Sequence, residues 1–252
     1  MSDGIYSALS GAIAQERTLS AVANNVANAT TTGYKADKAI FAEVLSQTKS
    51  KLPIAPSLRY ALVGDLAIDN QSGALHQTGR PLDVGLQGEG YFAVDTPNGE
   101  RYTRAGSFVM DKEGVVRTLS GLTVLQDTGS ISKPTDKIVI PQTAREVTIS
   151  PDGSITTDGQ PLAKLRVVRF DGPESVVREG LTLFATQNGA KPKEVEARTA
   201  VEQGYLESAN VNAVTGMNEL INVSRSFEAL QKVIETFRDL DNRTARDVGG
   251  KV

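Results

Sequence analysis

A seven-residue repeat of apolar side chains runs through the C-terminal part of the chain and constrains its fold more than any other feature. Two interleaved sets of positions, each with a spacing of seven, hold only apolar or small residues: Leu206, Ala213, Leu220, Phe227 and Ile234, and Ala209, Gly216, Val223, Leu230 and Phe237. Such a repeat over more than three heptads is typical of a helix that pairs with a second helix along a narrow seam. An amphipathic helix that packs on its own domain is the alternative.

The polar residues before this repeat indicate where the helix begins. Asn210 and Asn212 are both suitable N-caps, because an asparagine side chain accepts hydrogen bonds from the first free amides of a helix. We therefore predict a helix from about residue 211 to beyond residue 240, roughly 45 Å long at 1.5 Å per residue.

A second helical pattern lies at the opposite end of the chain. Its apolar positions recur at helical spacing, with Gln15 as the polar exception: Ile5, Ala8, Leu9, Ala12, Ile13, Leu19, Val22, Val26 and Ala29. Ser2 or Asp3 can cap the start. We predict a helix over about residues 4–29.

Between the two helical segments the apolar period changes from that of a helix to that of a strand. Short β-branched and aromatic runs alternate with glycine turns; the runs are YFAVDT (91–96), SFVMD (107–111), KIVI (137–140), EVTI (146–149), LAKLRVVRF (162–170) and LTLFAT (181–186). This pattern is typical of an all-β domain built from hairpins.

These patterns predict an α+β fold in which N- and C-terminal α-helices form a coiled-coil-like hairpin with an inserted all-β domain. We divide the chain into an N-terminal helical segment (1–35), a connector (36–74), a β-rich domain (75–205) and a C-terminal helix (206–252) that pairs with residues 1–35. The connector includes ADKAIFAEVLSQ (36–47), which suits a short helix or a strand.

The composition argues against most kinds of chemical site. Cysteine is absent and His76 is the one histidine, so multi-histidine or thiolate metal sites are not expected, and no cofactor is expected. A net charge of −3 gives no field for nucleic acid. The glycines of GLQGEG (85–90) have the wrong spacing for a dinucleotide fingerprint. We identify no catalytic constellation and expect no enzyme.

Targeting features are equally few. No stretch approaches the roughly 18–20 apolar residues that span a bilayer. The first basic residue is Arg17, so we expect no cleaved secretory signal.

The N-terminal helical pattern ends in a long polar stretch, NNVANATTTGYK (24–35), which we call the Asn-Thr segment. Asparagine, threonine and glycine all weaken a helix, yet a simple stop needs only one glycine or proline. The length of this segment therefore indicates a packed polar contact surface that includes Asn24, Asn25, Asn28 and Gly33.

Four stretches in the expected order resemble the bacterial flagellar rod and hook proteins. They are ANNVANATTTGYK (23–35), SGALHQTGRPLDVGLQGEGYFAV (72–94), RYTRAGSFVMDKEGVVRTLSGLTVL (101–125) and GYLESANVNAVTGMNELINVSRSFEALQKVIETF (204–237). The resemblance covers nearly the whole chain. It implies a structural subunit of the basal-body rod, the part of the flagellum that crosses the periplasm. Such a subunit is exported by the flagellar type III apparatus and packs its terminal helices into a torque-transmitting tube.

The length and the compact middle most resemble a proximal rod protein of the F type, with a distal rod or hook-type protein as the alternative. SRSFEAL (224–230) departs from the usual Arg-Ala-Tyr-Glu of the family. Outside the family, a cell-wall hydrolase with two close carboxylates or a coiled-coil adaptor are the competing hypotheses.

The resemblance implies that the chain binds copies of itself and other rod proteins through its ends. The predicted assembly interface comprises Ile5, Leu9, Ala12, Leu19, Val22, Asn24, Asn25, Val26, Asn28, Gly33, Leu206, Asn210, Asn212, Leu220, Val223, Phe227, Leu230, Ile234 and Phe237. We expect these ends to be fully ordered only when neighbouring subunits cover their apolar surface.

Overall fold

A computed structural model of the chain describes residues 2–45, 59–128, 136–170, 172, 175–187, 190–194 and 199–249. It contains two long helices at the ends and many short strands between them, which confirms the predicted α+β class. The described residues form two compact units. Unit 1 comprises 1–27, 37–67 and 212–252, and unit 2 comprises 28–36 and 68–211.

Unit 1 holds both helices and a two-stranded sheet. Helix α1 spans Ser2–Ala27 and helix α2 spans Ala213–Gly249. Strands β1 (Asp37–Leu45) and β2 (Arg59–Ile68) pair with each other. The predicted connector (36–74) therefore contains two strands, and ADKAIFAEVLSQ (36–47) is a strand over Asp37–Leu45. Residues 51–58, which the sequence KLPIAPSLRY (51–60) begins with, lie outside the described residues.

The start of α2 corrects one predicted boundary. Leu206 and Ala209 fit the heptad repeat but lie before the helix, and Leu206 belongs to a strand. Gly204 has a φ of +77°, and Tyr205–Glu207 pairs as a strand with Leu75–Gln77, so the heptad does not continue as helix towards the N-terminus. The helical part of the repeat therefore begins at Ala213.

Unit 2 is β-rich throughout. Its strands are β3 (Leu75–Gln77), β4 (Val84–Gln87), β5 (Tyr91–Thr96), β6 (Gly99–Thr103), β7 (Phe108–Met110), β8 (Val116–Thr118), β9 (Thr123–Val124), β10 (Val147–Ile149), β11 (Ser154–Thr157), β12 (Gln160–Lys164), β13 (Val167–Arg169), β14 (Val176–Arg178), β15 (Leu183–Thr186), β16 (Lys193–Glu194), β17 (Ala200–Gln203) and β18 (Tyr205–Glu207). The predicted run YFAVDT is β5, whereas KIVI forms only isolated bridges to neighbouring segments.

The largest sheet of unit 2 has nine strands in the order β14-β15-β6-β5-β9-β8-β7, with β13 paired to β5 and β16 to β13. A second sheet has the order β10-β11-β12. The last two strands pair antiparallel with early ones, β17 with β4 and β18 with β3. Unit 2 comprises 28–36 and 68–211, so it extends beyond the predicted range 75–205 on both sides.

Two clusters of buried apolar side chains form the core of unit 2. The larger includes Phe92, Phe108, Ile138 and Leu165, and the smaller is built around Phe184. Aromatic rings meet edge to face in both, with centroids 5.2 Å apart for Phe92 and Phe108. This core gives unit 2 the burial expected of a stable domain.

Candidate assembly interface

Helices α1 and α2 contact each other in antiparallel order. A Cβ atom added at Gly4 would lie 3.1 Å from the ring of Phe237, and one at Gly11 would lie 3.6 Å from Leu230. One at Gly216 would lie only 2.7 Å from a methyl group of Val26. Glycine at Gly4 and Gly216 lets the two helices approach closely, because a Cβ atom there would lie nearer to its neighbour than an ordinary contact, whereas one at Gly11 would make an ordinary van der Waals contact.

The predicted heptad positions form the least exposed face of α2. Nine side chains in the described part of α2 are partly buried and the rest are exposed. Ser224 is one of the nine. The other eight are heptad positions: Ala213, Gly216, Leu220, Val223, Phe227, Leu230, Ile234 and Phe237. Leu220, Val223 and the later interface residues therefore share one face, as the repeat predicts.

On α1 the small residues are the most deeply buried. Ala8, Ala12 and Val22 are buried, whereas Ile5, Leu19 and Val26 are half-buried. Leu9, a member of the predicted assembly interface, is 44% exposed. Asn24 is exposed and Asn25 is half-buried.

Both helices carry a second apolar stripe that is exposed. On α1 it consists of Tyr6, Leu9 and Ile13, and on α2 of Val214, Met217 and Ile221. Each triplet has the spacing i, i+3, i+7, which places its members on one face of a helix. We call these triplets the exposed stripes.

An asparagine, Asn212, caps the start of the C-terminal helix, as predicted. The Asn212 side-chain oxygen accepts hydrogen bonds from the amides of Val214 and Thr215, at 3.0 and 3.2 Å. This arrangement satisfies two of the four amides that a helix start leaves free. Asn210, the other predicted cap, has a different partner.

The Asn-Thr segment divides between the two units. In unit 1, the side chain of Asn25 accepts a hydrogen bond from the Asp37 amide and donates one to the Asp37 carbonyl, at 2.9 and 2.8 Å. In unit 2, the amide of Thr31 donates to the Asn28 carbonyl at 3.0 Å, so a turn follows the helix. Asn28 is buried.

Gly33 is a position where only glycine fits. Its φ is +69°, and a Cβ atom there would lie 2.3 Å from the amide nitrogen of Ala105. Its own amide donates a 2.8 Å hydrogen bond to the Glu207 carbonyl. The backbone of the segment is thereby pressed against two later parts of unit 2.

Three buried charged side chains, Lys35, Arg104 and Glu207, lie together in unit 2, and we call them the charge clasp. The Lys35 ammonium is 2.7 Å from Glu207 Oε1, and Arg104 Nη1 is 3.0 Å from Glu207 Oε2. Each side chain is at most 2% exposed. The Gly73 amide also donates to Oε1, at 2.8 Å. This carboxylate therefore has three donors, as a buried charge requires.

The two cations of the charge clasp have further partners. Lys35 donates to the Gln71 carbonyl at 2.7 Å, and Arg104 donates to the Gly88 carbonyl at 2.8 Å. The pKa of Lys35 lies below its ordinary value, because burial and the Arg104 cation lower it by more than Glu207 raises it. The guanidinium of Arg104 also lies 5.5 Å from the ring centroid of Tyr91. Burial raises the pKa of Tyr91 to about 12.

The residues around the charge clasp complete its backbone hydrogen bonds. The Ala36 amide donates to Asn210 Oδ1 at 2.7 Å, and the Asp69 amide donates to the Ala36 carbonyl at 2.8 Å. Arg178 donates to the Lys35 carbonyl and lies 4.6 Å from the ring centroid of Tyr34. Gly33 and Asn210 thus have partners within the chain, and their place in an assembly interface stays a prediction.

No local pattern in the sequence singles out Lys35, Arg104, Arg178 or Glu207. The one available signal was the length of the Asn-Thr segment, which indicated a packed polar contact without naming its partner.

In the described part of the chain, no group of three or more potential ligands is arranged to hold a metal ion. Neither helix there has an apolar stretch long enough to cross a membrane.

Three family models match the chain in sequence order. Residues 5–35 match the flagella basal body rod protein model, 85–157 the flagellar hook protein FlgE/F/G D1 domain, and 202–247 the flagellar basal body rod FlgEFG protein C-terminal model. The flagellar basal-body rod protein FlgF of Mesorhizobium japonicum is 32% identical over 251 residues, which cover 100% of both chains. The chain belongs to the flagellar basal-body rod protein family.

Other relatives agree with this family. FlgF of Rhizobium meliloti is 31% identical over 252 residues, covering 99% of both chains. FlgG of Bacillus subtilis is 30% identical over 258 residues, covering 92% of this chain and 94% of the relative. As a member of the rod family, the chain is a structural protein of the bacterial flagellar basal body, and the predicted family is confirmed.

Proposed function

We propose that this rod-family protein is an F-type subunit of the proximal rod, and that it assembles through α1 and α2 with copies of itself and with other rod proteins. The exposed stripes carry the proposal. All six side chains are at least 44% exposed, from Leu9 at 44% to Val214 at 69%. Full burial of one large apolar side chain stabilises by about 1.5–3 kcal/mol, so covering the stripes is worth roughly 5 kcal/mol or more.

The repeating unit of the proposed assembly is the pair of helices α1 and α2, which contact each other along one face of each helix. We propose that the heptad face of α2 and the alanine-rich face of α1 form a coiled-coil-like hairpin, since Phe237 and Leu230 of α2 pack beside Gly4 and Gly11 of α1. Neighbouring hairpins then cover the exposed stripes. Contacts between unlike faces that do not close into a ring generate a helical tube.

A second candidate is another axial type, either distal rod or hook. It is supported by the match of residues 85–157 to a model shared by FlgE, FlgF and FlgG, and by the FlgG relatives. Labelling of this chain in isolated basal bodies, followed by electron microscopy, distinguishes the types. Label at the proximal end of the rod supports the proposal, and label in the distal rod or hook supports the alternative.

Substitutions in the seam test the assembly mechanism. Leu220→Asp and Phe227→Asp should block incorporation into the rod, because each places a charge without a partner in an apolar contact. Unit 2 should remain folded in both variants. Gln231→Asp is the matched control, since it adds the same side chain at an exposed position of the same helix. Incorporation of either seam variant at the level of the control would contradict the mechanism.

Export by the flagellar type III apparatus, without a cleaved signal, is part of the same proposal. It rests on what the rod family implies for its members. The N-terminal residues of the protein recovered from purified rods test it. An intact N-terminal sequence agrees with the proposal, and a shortened one would contradict it.

A further inference from the structure

The charge clasp joins residues from the beginning, the middle and the end of unit 2. Lys35 lies in the first segment of the unit, Arg104 follows β6, and Glu207 ends β18, 172 positions after Lys35. Among the described residues, Glu207 is the carboxylate that pairs with both cations. Both ion pairs therefore depend on one side chain near the end of the unit.

Backbone hydrogen bonds connect the same segments. Gly33 donates to the carbonyl of Glu207, Ala36 donates to the side chain of Asn210, and Ser208 donates to the carbonyl of Ala74. None of these bonds forms until the segment that contains β18 is in place. Gly33 and Ala36, in the first segment of unit 2, thus have hydrogen-bond partners at the far end of the unit.

Without Glu207 the remaining charges repel each other. Lys35 and Arg104 are both buried, and the Arg104 cation already disfavours a charged Lys35. Two like charges out of water are much less stable than one ion pair, because no carboxylate then offsets the desolvation cost of either cation. Early residues of the unit therefore carry a penalty that only a late residue removes.

We propose that the charge clasp is a folding checkpoint, in which unit 2 becomes stable only after the segment around Glu207 has docked beside Lys35 and Arg104. As a consequence, residues 28–36 unfold and fold together with the β-rich unit, although they directly follow helix α1 in sequence. This inference is independent of the proposed place of the protein in the rod.

Hydrogen exchange in the full chain tests the checkpoint. The amides of Gly33, Ala36 and Asp69 should exchange about 100-fold faster or more in Glu207→Gln than in the unmodified protein, because removing one partner leaves two buried cations. The matched control is Glu202→Gln on the neighbouring strand β17, which should leave these rates unchanged. Equal rates in Glu207→Gln and Glu202→Gln would overturn the proposal.

A second substitution shows whether charge is responsible. Lys35→Met should speed exchange of the same amides in the unmodified background, because it removes one ion pair. In the Glu207→Gln background it should slow their exchange, because it removes one of the two repelling cations. If Glu207→Gln alone fails to fold, Lys35→Met should restore part of the native signal. Faster exchange, or no recovery, in the double variant would overturn the proposal.

Discussion

Replacement of Gly33 by alanine is the most informative single perturbation of unit 2. The added Cβ atom would lie 2.3 Å from the Ala105 nitrogen and 2.5 Å from the Arg104 carbonyl carbon, both backbone atoms that cannot rotate away. Overpacking of this kind costs about 1–3 kcal/mol. The left-handed backbone at φ +69° adds about 1–2 kcal/mol for a residue with a Cβ atom. We expect a total loss of about 2–5 kcal/mol.

Gly121→Ala separates the two contributions. Gly121 also has a positive φ, +85°, but no atom lies within 4 Å of its added Cβ. This control should lose only about 1–2 kcal/mol, from backbone strain alone. The assay is urea unfolding of the full chain, followed through the amide signals of strand β5. A loss of stability in Gly33→Ala no larger than in Gly121→Ala would refute the packing argument.

Three further predictions concern the helices and the acid stability of unit 2. Asn212→Ala should destabilise the start of α2 by about 0.5–2 kcal/mol, measured as faster exchange of the Val214 and Thr215 amides; unchanged exchange would argue against the cap. Gly11→Ala should stabilise α1 by about 1 kcal/mol, because its Cβ meets Leu230 at an ordinary 3.6 Å. Gly216→Ala should destabilise the contact between α1 and α2, because its Cβ would lie 2.7 Å from Val26. Thermal unfolding of unit 1 should therefore occur at a higher temperature in the first variant and at a lower temperature in the second. The hydrogen bond from Arg117 holds the pKa of Asp111 below its ordinary value, so unit 2 should lose stability as the pH falls through that lowered pKa. Asp111→Asn should show a flatter decline in urea stability over this acidic range, and an equal slope would contradict the assignment.

The helices could be predicted from the sequence because their signals are local. The positions Leu220 to Phe237 repeat every seven residues, and the same positions are the partly buried ones in α2. Asn212 was one of two predicted caps because capping depends on the residues next to it. Leu206 fitted the same repeat by coincidence, since a residue in a short strand can satisfy a heptad position without any helix.

The charge clasp could not be predicted because its partners are far apart in sequence. Lys35 stands in GYKAD (33–37) and Glu207 in YLESA (205–209), neither of which forms a motif, and no periodicity relates positions 172 residues apart. The pairing is set by the antiparallel register of β3 and β18, which places Glu207 opposite Leu75. The Asn-Thr segment was expected to form a packed polar contact surface. Several of its polar contacts lie within the chain itself, and its role between subunits stays a prediction.

Hydrogen exchange of the exposed stripes, compared between dilute subunit and assembled rod, tests the central claim most directly. The amides of residues 6–13 and 214–221 should become strongly protected on assembly, because neighbouring subunits cover these faces of α1 and α2. Strand β5, in the core of unit 2, should keep the same protection in both states. Equal protection of the stripes in the free and assembled protein would contradict assembly through these helices.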